Sequence, residues 1–186
     1  MMVGIDNVVT RGGDGGQTLL GDGSRVGKGA RRIEALGAVD EANAAIGLLR
    51  CAVARAPETD AMLARIQNDL FDVGAALRMP GADSGRLRLT DASVTRLEAE
   101  ITVLNAGLAP VTTFVLPGGS EAASRAHVAR AVARRAERDV VRLATEEALN
   151  PLLICYLNRL SDHLFVLARA FNADGEGDVL WVTGGA

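Results

Sequence analysis

The feature that most constrains this chain is a set of five stretches in which apolar residues return every three or four positions. That spacing is typical of amphipathic helices that bury one face. The predicted helices run from residue 31 to before Pro57, from about 58 to Pro80, from 90 or 91 to Gly107, from 120 to about 148, and from Pro151 to 171. A turn is predicted at residues 80–85. Five helices with short connections predict an all-α, up-and-down five-helix bundle.

The composition agrees with closely packed helices. The 186 residues include 31 alanines and only 3% aromatic residues, so the core must consist of Ala, Leu, Val and Ile,. A chain of this length is typical of one domain. We expect a single domain over residues 1–186, with a Gly-rich N-terminal loop at 1–30, the helical bundle at 31–173 and a tail at 174–186. Residues 178–183 of the tail are predicted to add a short strand.

Charge and cysteine usage exclude several classes of protein. The formal net charge of −3 provides no global field to attract nucleic acid,. No segment reaches the roughly 18 apolar residues of a membrane span and no secretory signal is present, so we expect a cytoplasmic protein without membrane contact. Cys51 and Cys155 fall in apolar helical patterns and are predicted to be buried thiols. His127 and His163 have no neighbouring ligand cluster, which argues against a metal site held by the protein.

The N-terminal loop has the composition of a polyphosphate-binding segment. Its glycines allow backbone N–H groups to approach phosphate oxygens. Hydroxyl and cationic side chains are interspersed among them: Thr10, Arg11, Thr18, Ser24, Arg25 and Lys28. It is not a Walker loop, because Gly29 follows Lys28 where Ser or Thr is required and no strand precedes it. A flexible tail with ordinary glycine bias explains the composition equally well.

The fourth helix carries a ridge of charged side chains. Its members follow one another at steps of three or four residues: His127, Arg130, Arg134, Glu137 and Val141. A neighbouring stripe contains Arg135, Arg138 and Arg142. Guanidinium groups in such a ridge can hold several phosphate oxygens in bidentate pairs. Spacing alone favours the alternative of a solvated face, on which Glu137 pairs with Arg130 and Arg134.

Two other helices carry polar side chains among apolar neighbours. They are Asp40 and Asn43 in the first helix and Asn158, Asp162 and Arg169 in the fifth. Burial without partners would cost each of them a few kcal/mol, so each requires a partner such as an arginine or a ligand. Exposure to solvent is the alternative that the pattern leaves open.

Seven short motifs follow one another in a distinctive order. They are residues 10–14 (TRGGD), 23–28 (GSRVGK), 33–43 (IEALGAVDEAN), 66–74 (IQNDLFDVG), 114–119 (FVLPGG), 130–138 (RAVARRAER) and 156–162 (YLNRLSD). In this order, over nearly the whole chain, they resemble the ATP:cob(I)alamin adenosyltransferases of the propanediol-utilisation type. The resemblance implies a five-helix-bundle subunit, a homotrimer and active sites between adjacent subunits.

The resemblance also implies a reaction. The protein would transfer the 5′-deoxyadenosyl group of ATP, bound with Mg²⁺, to cob(I)alamin, forming adenosylcobalamin and releasing triphosphate. Cob(I)alamin is itself a strong nucleophile, so no Ser, Cys or His nucleophile is needed. A corrinoid reductase and an adenosylcobalamin-dependent mutase are candidate partners on the same basis.

Site residues follow from the motif matches. ATP contacts would come from the N-terminal loop, the fourth helix and the fifth helix: Thr10, Arg11, Gly12, Gly13, Thr18, Leu19, Lys28, Arg134, Arg135, Glu137, Arg138 and Asn158. Asp40 would pair with Arg130 across the subunit boundary, and both are expected to be catalytic. Phe114 would fill the space under the corrin ring and displace the dimethylbenzimidazole lower ligand.

Two other functions are compatible with the same residues. One is a cofactor chaperone or regulator that binds ATP and corrinoid without efficient turnover. The other is a helical interaction module with a basic ridge and no ligand. Retention of Asp40, Phe114 and Arg130 favours the enzyme.

Overall fold

The computed structural model describes residues 9–81 and 89–185. It contains five helices in this part of the chain: α1 (Arg31–Ala52), α2 (Pro57–Arg78), α3 (Asp91–Asn105), α4 (Glu121–Ala144) and α5 (Leu152–Ala170). The predicted helical bundle is thereby confirmed. Residues 82–85 of the predicted turn lie outside the described residues.

The helix ends show which capping signals operate. Ser120 caps α4 as predicted, because its hydroxyl accepts a hydrogen bond from the Ala123 N–H at 3.1 Å,. Thr90 occupies the N-cap position of α3 without a side-chain cap hydrogen bond. At the other end of α4 the Thr145 N–H and hydroxyl both bond to the Arg142 carbonyl. That turn ends α4 at Ala144, four residues before the predicted end.

The helices pack in adjacent pairs around an aliphatic core. α4 lies against α1 and α5, α2 packs on α1, and α3 packs on α5. One face of α4 consists of buried alanines, which permit a close approach of its neighbours: Ala126, Ala129, Ala133 and Ala136. α5 supplies several large buried side chains, among them Tyr156, Leu157, Leu160 and Leu164. The low aromatic content is therefore matched by small-residue packing.

The Asp69 carboxylate joins α2 to α3 by an ion pair and to α5 by a hydrogen bond. The buried Tyr156 hydroxyl donates to Asp69 Oδ2 at 2.8 Å, and Arg96 on α3 pairs with the same carboxylate. Burial, followed by the negative charge of Asp69, raises the pKa of Tyr156 well above its usual value. These contacts connect three helices through one carboxylate.

The N-terminal segment is not entirely a loop, which corrects the prediction for residues 1–30. β1 (Gln17–Leu19) and β2 (Arg25–Gly27) form an antiparallel hairpin. Asp22 closes its turn by accepting hydrogen bonds from the N–H and hydroxyl of Ser24. Gly23 follows with a φ of +86°, a conformation that glycine adopts readily,. The strands are short and mostly exposed, so they carry no alternating apolar pattern.

The tail contributes less than the predicted strand over 178–183. It forms one isolated antiparallel bridge, between Leu180 and Val115. Two backbone hydrogen bonds flank the bridge, from Leu116 N to Val179 O at 2.7 Å and from Trp181 N to Phe114 O at 2.8 Å. We call residues 113–116 and 178–182 together the aromatic strap.

The prediction of buried cysteines is wrong, because Cys51 and Cys155 are both exposed. Each lies two residues from buried positions of its helix, which are Leu49 in α1 and Leu153 and Leu157 in α5. A helix turns by about 100° per residue, so a residue two positions from a buried one lies on nearly the opposite side and faces solvent.

Among the helices of the described residues, none has the length and apolarity of a membrane span.

Candidate functional site

A cationic pocket opens between α4 and α5. It has a volume of about 410 Å³, and Arg134, Glu137, Arg138, Arg142 and Asn158 lie in its wall. Asn158 Nδ2 donates to Glu137 Oε1 at 3.0 Å, which orients the carboxylate. Three guanidinium groups around one opening are suited to an anion with several oxygens. The structure therefore brings together four residues that the sequence assigned to one ligand.

Arg135 lies apart from this pocket. Its guanidinium pairs with Glu41 on α1 of the same chain. The neighbouring residue on the helix, Arg134, is rotated by about 100° and faces the pocket,. The motif match groups Arg134 with Arg135, but the helix directs the two side chains to different surfaces.

On the first half of α4, the side chains of His127 and Arg130 have buried nitrogen atoms without hydrogen bonds among the described residues. Arg130 Nε and both ring nitrogens of His127 are buried without a hydrogen bond in the part of the chain that the structure describes. The Arg130 guanidinium lies over the Phe165 ring of α5, with Cζ 6.0 Å from the centroid. Burial, followed by the charge of Arg134, lowers the pKa of Arg130. Buried polar atoms normally have partners, so this group is suited to an acceptor that residues 9–81 and 89–185 do not supply,.

The glycines before β1 allow a close approach of Lys28. A Cβ atom on Gly13 would lie 2.9 Å from Lys28 Nζ, so a larger residue would displace the ammonium group. Lys28 N donates to Gly16 O at 2.8 Å, and Arg25 Nη2 donates to Gly12 O at 2.7 Å. The loop before β1 thus folds back onto two cationic residues: Arg25 in β2, and Lys28 immediately after β2. Thr18 and Leu19 lie on β1 beside this loop, with Leu19 half exposed.

The hairpin is attached to the end of α2. Gly21 N donates to Arg78 O at 2.9 Å, and the neighbouring Leu20 is buried. A Cβ on Gly21 would come within 2.3 Å of the Met79 sulfur atom. These contacts attach the N-terminal segment of residues 1–30, which we call the arm, to the bundle. Thr10 and Arg11 of the arm are exposed.

An apolar groove of about 490 Å³ runs between α1 and α2. Leu36, Val39 and Phe71 contribute to its wall, and Phe71 is 72% exposed. Asp40 places a carboxylate at the same groove. Asn43 and Gln67 join the two helices through reciprocal side-chain-to-backbone hydrogen bonds of 3.1 Å. A wide apolar surface with isolated polar groups fits a large, largely apolar ligand.

Sequence reasoning did not identify Phe71 as a site residue. It belongs to the quoted motif at residues 66–74, yet the helical pattern of α2 alone does not distinguish it. Its signal is a large aromatic side chain at a position just outside the buried stripe formed by Leu70 and Val73,.

Phe114 stands at the surface of the aromatic strap and is 77% exposed. Its ring meets Trp181 in an edge-to-face arrangement, with centroids 6.0 Å apart and an interplanar angle of 65°. The sequence identified Phe114 but not Trp181. The available signal was the apolar run at residues 179–182 (VLWV) within a polar, glycine-rich tail.

Asp40 and Arg130 occupy different surfaces of the chain. Asp40 lies in the groove between α1 and α2, whereas Arg130 lies on α4 beside Phe165. Their expected pairing across a subunit boundary therefore remains a prediction.

Fold and site together define a helical bundle that carries a cationic pocket, a glycine-rich arm and a separate apolar groove. The family model described as cobalamin adenosyltransferase matches residues 8–171. The chain belongs to this family.

Two curated relatives are similar in sequence to this chain over almost its full length. A cobalamin adenosyltransferase from Cupriavidus metallidurans is 49% identical over 178 residues, which cover 95% of each chain. A corrinoid adenosyltransferase from Mycobacterium tuberculosis is 45% identical over 190 residues, covering 100% of this chain and 97% of the relative.

A solved structure shows the same fold. It is a variant of a PduO-type ATP:corrinoid adenosyltransferase from Lactobacillus reuteri, complexed with cobalamin and ATP. The two chains are 34% identical with a TM-score of 0.88, and the match covers 94% of this chain and 99% of the other.

Proposed function

We propose that this chain transfers the 5′-deoxyadenosyl group of ATP to cob(I)alamin, forming adenosylcobalamin and releasing triphosphate. Family membership and the cobalamin and ATP bound to the Lactobacillus reuteri relative support the two substrates. The observation on this chain that carries the proposal is the pocket that unites Arg134, Glu137, Arg138 and Asn158.

ATP occupies the pocket between α4 and α5 together with the N-terminal arm. Arg134 and Arg138 bind phosphate oxygens, and Asn158 holds Glu137 in the orientation that the nucleotide requires. Thr10, Arg11, Lys28 and the N–H groups near Gly12 and Gly13 bind the remainder of the triphosphate. Thr18 and Leu19 support this loop from β1.

Mg²⁺ accompanies the nucleotide. This ion is commonly bound through substrate phosphates and retained waters rather than by a complete protein cage. Residues 9–81 and 89–185 contain no cluster of three or more His, Cys, Asp or Glu side chains suited to a metal. We therefore assign the ion to the phosphates of ATP.

The active site is completed in a homotrimer. The arm is attached to α2 through Gly21 and Arg78, whereas the cationic pocket lies between α4 and α5. We place the Asp40 surface of one subunit against the α4 surface of the next. There Asp40 would supply an acceptor for the Arg130 guanidinium, whose Nε is buried without a hydrogen bond among the described residues,.

Phe114 acts on the corrinoid side of the site. Its exposed ring would occupy the space that the dimethylbenzimidazole ligand needs at the lower face of cobalt, and it offers no hydrogen bond to a coordinated water,. Removal of this axial donor stabilises the orbital that accepts an electron. One electron from an external donor, such as a dihydroflavin, then reduces Co(II) to Co(I).

The transfer step needs charge stabilisation more than acid–base chemistry. The cobalt electron pair attacks C5′ of ATP, the C5′–O bond breaks, and triphosphate leaves with that bonding pair. Arg130, Arg134 and Lys28 stabilise the negative charge that develops on the leaving group. A corrinoid reductase and an adenosylcobalamin-dependent mutase would precede and follow this step. The arm at 1–30, the bundle at 31–173 and the tail at 174–186 form one functional domain in this proposal.

The direct test combines the purified protein with ATP, Mg²⁺ and chemically reduced cobalamin. Formation of adenosylcobalamin is followed by its light-sensitive absorbance, with omission of ATP as the control. ATP binding without product would favour a chaperone or regulator, and the absence of both would contradict the proposed site. Protection of the arm from proteolysis by ATP would exclude a ligand-free interaction module.

A further inference from the structure

The aromatic strap presents two large rings without burying them. Phe114 is 77% exposed and Trp181 is 43% exposed, and each ring contacts the other edge to face. One bridge between Val115 and Leu180 joins their backbones. A pair of strands this short has little stability of its own in water. Something beneath the strap must therefore fix its position.

Asn172, just after α5, connects the ends of the strap. Its Oδ1 accepts the Ser120 N–H at 2.9 Å, and its Nδ2 donates to Gly118 O and Asp178 Oδ1, each at 3.2 Å. The residue is only 4% exposed. One buried amide thus joins the segment before α4 to the start of the tail.

An ion pair holds the same tail residue from its other side. Arg169 Nε donates to Asp178 Oδ2 at 2.6 Å, and Arg169 Nη2 donates to Ala109 O at 2.5 Å. The Arg169 and Asp178 side chains are 6% and 2% exposed. Breaking such a buried pair is costly, because one charge would remain without a partner. The pair therefore fixes Asp178, which is the first residue of the strap in the tail, and through it the residues that follow.

Two glycines permit this close arrangement. A Cβ on Gly119 would lie 2.2 Å from Asn172 Oδ1, and a Cβ on Gly175 would lie 2.6 Å from Arg169 Nη2. Both glycines have positive φ, at +96° and +93°. The backbone is therefore shaped around the Asn172 amide and the Arg169 guanidinium rather than merely passing near them.

We propose that Asn172 and the Arg169–Asp178 pair are positioning residues, which hold the aromatic strap so that Phe114 and Trp181 form one rigid apolar wall for the corrinoid. This inference rests on the proposed function. If the strap is loosened, water or the lower ligand gains access to cobalt and reduction of Co(II) becomes harder. The cationic pocket for ATP lies on other residues and is unaffected.

The experiment compares Asn172→Ala with the parent protein in two assays. One begins with chemically reduced cob(I)alamin, and the other begins with cob(II)alamin and a dihydroflavin. We expect the rate from cob(II)alamin to fall at least tenfold, while the rate from cob(I)alamin and the KM for ATP stay within about threefold. Bound cob(II)alamin should also regain the nitrogen splitting of an axial base in its electron paramagnetic resonance spectrum.

The protein contains its own reporter of the strap, because Trp181 is its single tryptophan. Loosening the strap in Asn172→Ala should shift the tryptophan emission to longer wavelength. Asp69→Asn is the matched control, since it disturbs a largely buried network of comparable size that does not include the strap. That variant should leave the emission and the ratio of the two rates unchanged.

Two further variants keep the test decisive. Leu116→Pro removes the N–H that bonds to Val179 O without altering the buried network, and it should reproduce the loss if Asn172→Ala fails to fold,. Phe114→Ala tests the underlying function: normal reduction in that variant would overturn the role of Phe114 itself. If Phe114→Ala loses reduction but folded Asn172→Ala and Leu116→Pro keep it, the positioning role is overturned. Equal losses in both assays of Asn172→Ala would also overturn it.

Discussion

The guanidinium of Arg130 lies over the ring of Phe165, 6.0 Å from its centroid, while its Nε remains buried without a hydrogen bond among the described residues. The aromatic face compensates part of the desolvation of the cation. The nearby charge of Arg134 adds to the cost and, after burial itself, contributes to the lowered pKa of Arg130. The desolvated guanidinium of Arg130 lowers the stability of the fold, but it is available to bind an acceptor.

Arg130→Gln is therefore expected to separate activity from stability. The free energy of unfolding should stay constant or rise, because the substitution removes a half-buried cation whose Nε has no hydrogen bond among the described residues,. The rate of adenosyl transfer should fall about 100-fold, as for loss of a group that stabilises developing charge. Urea unfolding and steady-state kinetics measure the two quantities. Arg125→Gln, on the same helix and paired with Glu121, is the control; a strongly destabilised Arg130→Gln would contradict the interpretation.

Arg134 and Arg135 provide a comparison between adjacent residues. Arg134→Ala should lower kcat/KM for ATP roughly 30-fold, because its guanidinium lines the cationic pocket,. This change corresponds to a loss of about 2 kcal/mol of transition-state stabilisation. Arg135→Ala should cause a smaller loss, since the structure pairs Arg135 with Glu41 on α1. Kinetics at varied ATP concentration distinguish the variants. Equal losses would mean that Arg135 leaves Glu41 to bind the nucleotide.

Tyr156→Phe tests the connection that Asp69 makes between α2, α3 and α5. Removing the hydroxyl leaves Asp69 with one fewer donor in a largely buried position, so the free energy of unfolding should fall by about 1–2 kcal/mol,. Denaturant unfolding provides the measurement. The KM for ATP should not change, because Tyr156 points into the core. A variant as stable as the parent protein would show that Arg96 alone satisfies Asp69.

His127 predicts a dependence of stability on pH. Burial, followed by the charge of Arg130, lowers its pKa from 6.5 in the folded protein. The unfolded chain therefore takes up a proton below about pH 6.5 that the folded chain rejects, and stability falls as the pH is lowered through that range. His127→Leu should flatten the fall of stability at pH values below about 6.5, by at most about 1.4 kcal/mol per pH unit for one proton,.

The control for His127→Leu is its stability at pH 7.5. The exchange replaces a neutral ring without hydrogen bonds by an apolar side chain of similar volume, so the two proteins should differ little there,. Urea unfolding at a series of pH values provides the comparison. An unchanged slope would assign the pH dependence to other groups.

Local signals in the sequence determined the helices of this protein. Apolar spacing placed α1 to α5, and Ser120 marked the start of α4, because periodicity and capping depend on residues within one or two turns. The motif order also grouped Arg134, Glu137 and Asn158, which line one pocket in the structure. The cysteines were misplaced because they were assigned to the apolar pattern as a whole, although each lies two residues, or about 200° around the helix, from buried leucines,.

Only the tertiary structure decided how these elements serve the site. The hairpin at Gln17–Leu19 and Arg25–Gly27 depends on turn contacts rather than on an apolar pattern. The pairing of Arg135 with Glu41, and the contact of Trp181 with Phe114, depend on which helix or segment lies opposite. Such contacts join residues up to about 100 positions apart, as from Glu41 to Arg135. Sequence spacing describes one element at a time, whereas the burial and pairing of a charge depend on its neighbours in space.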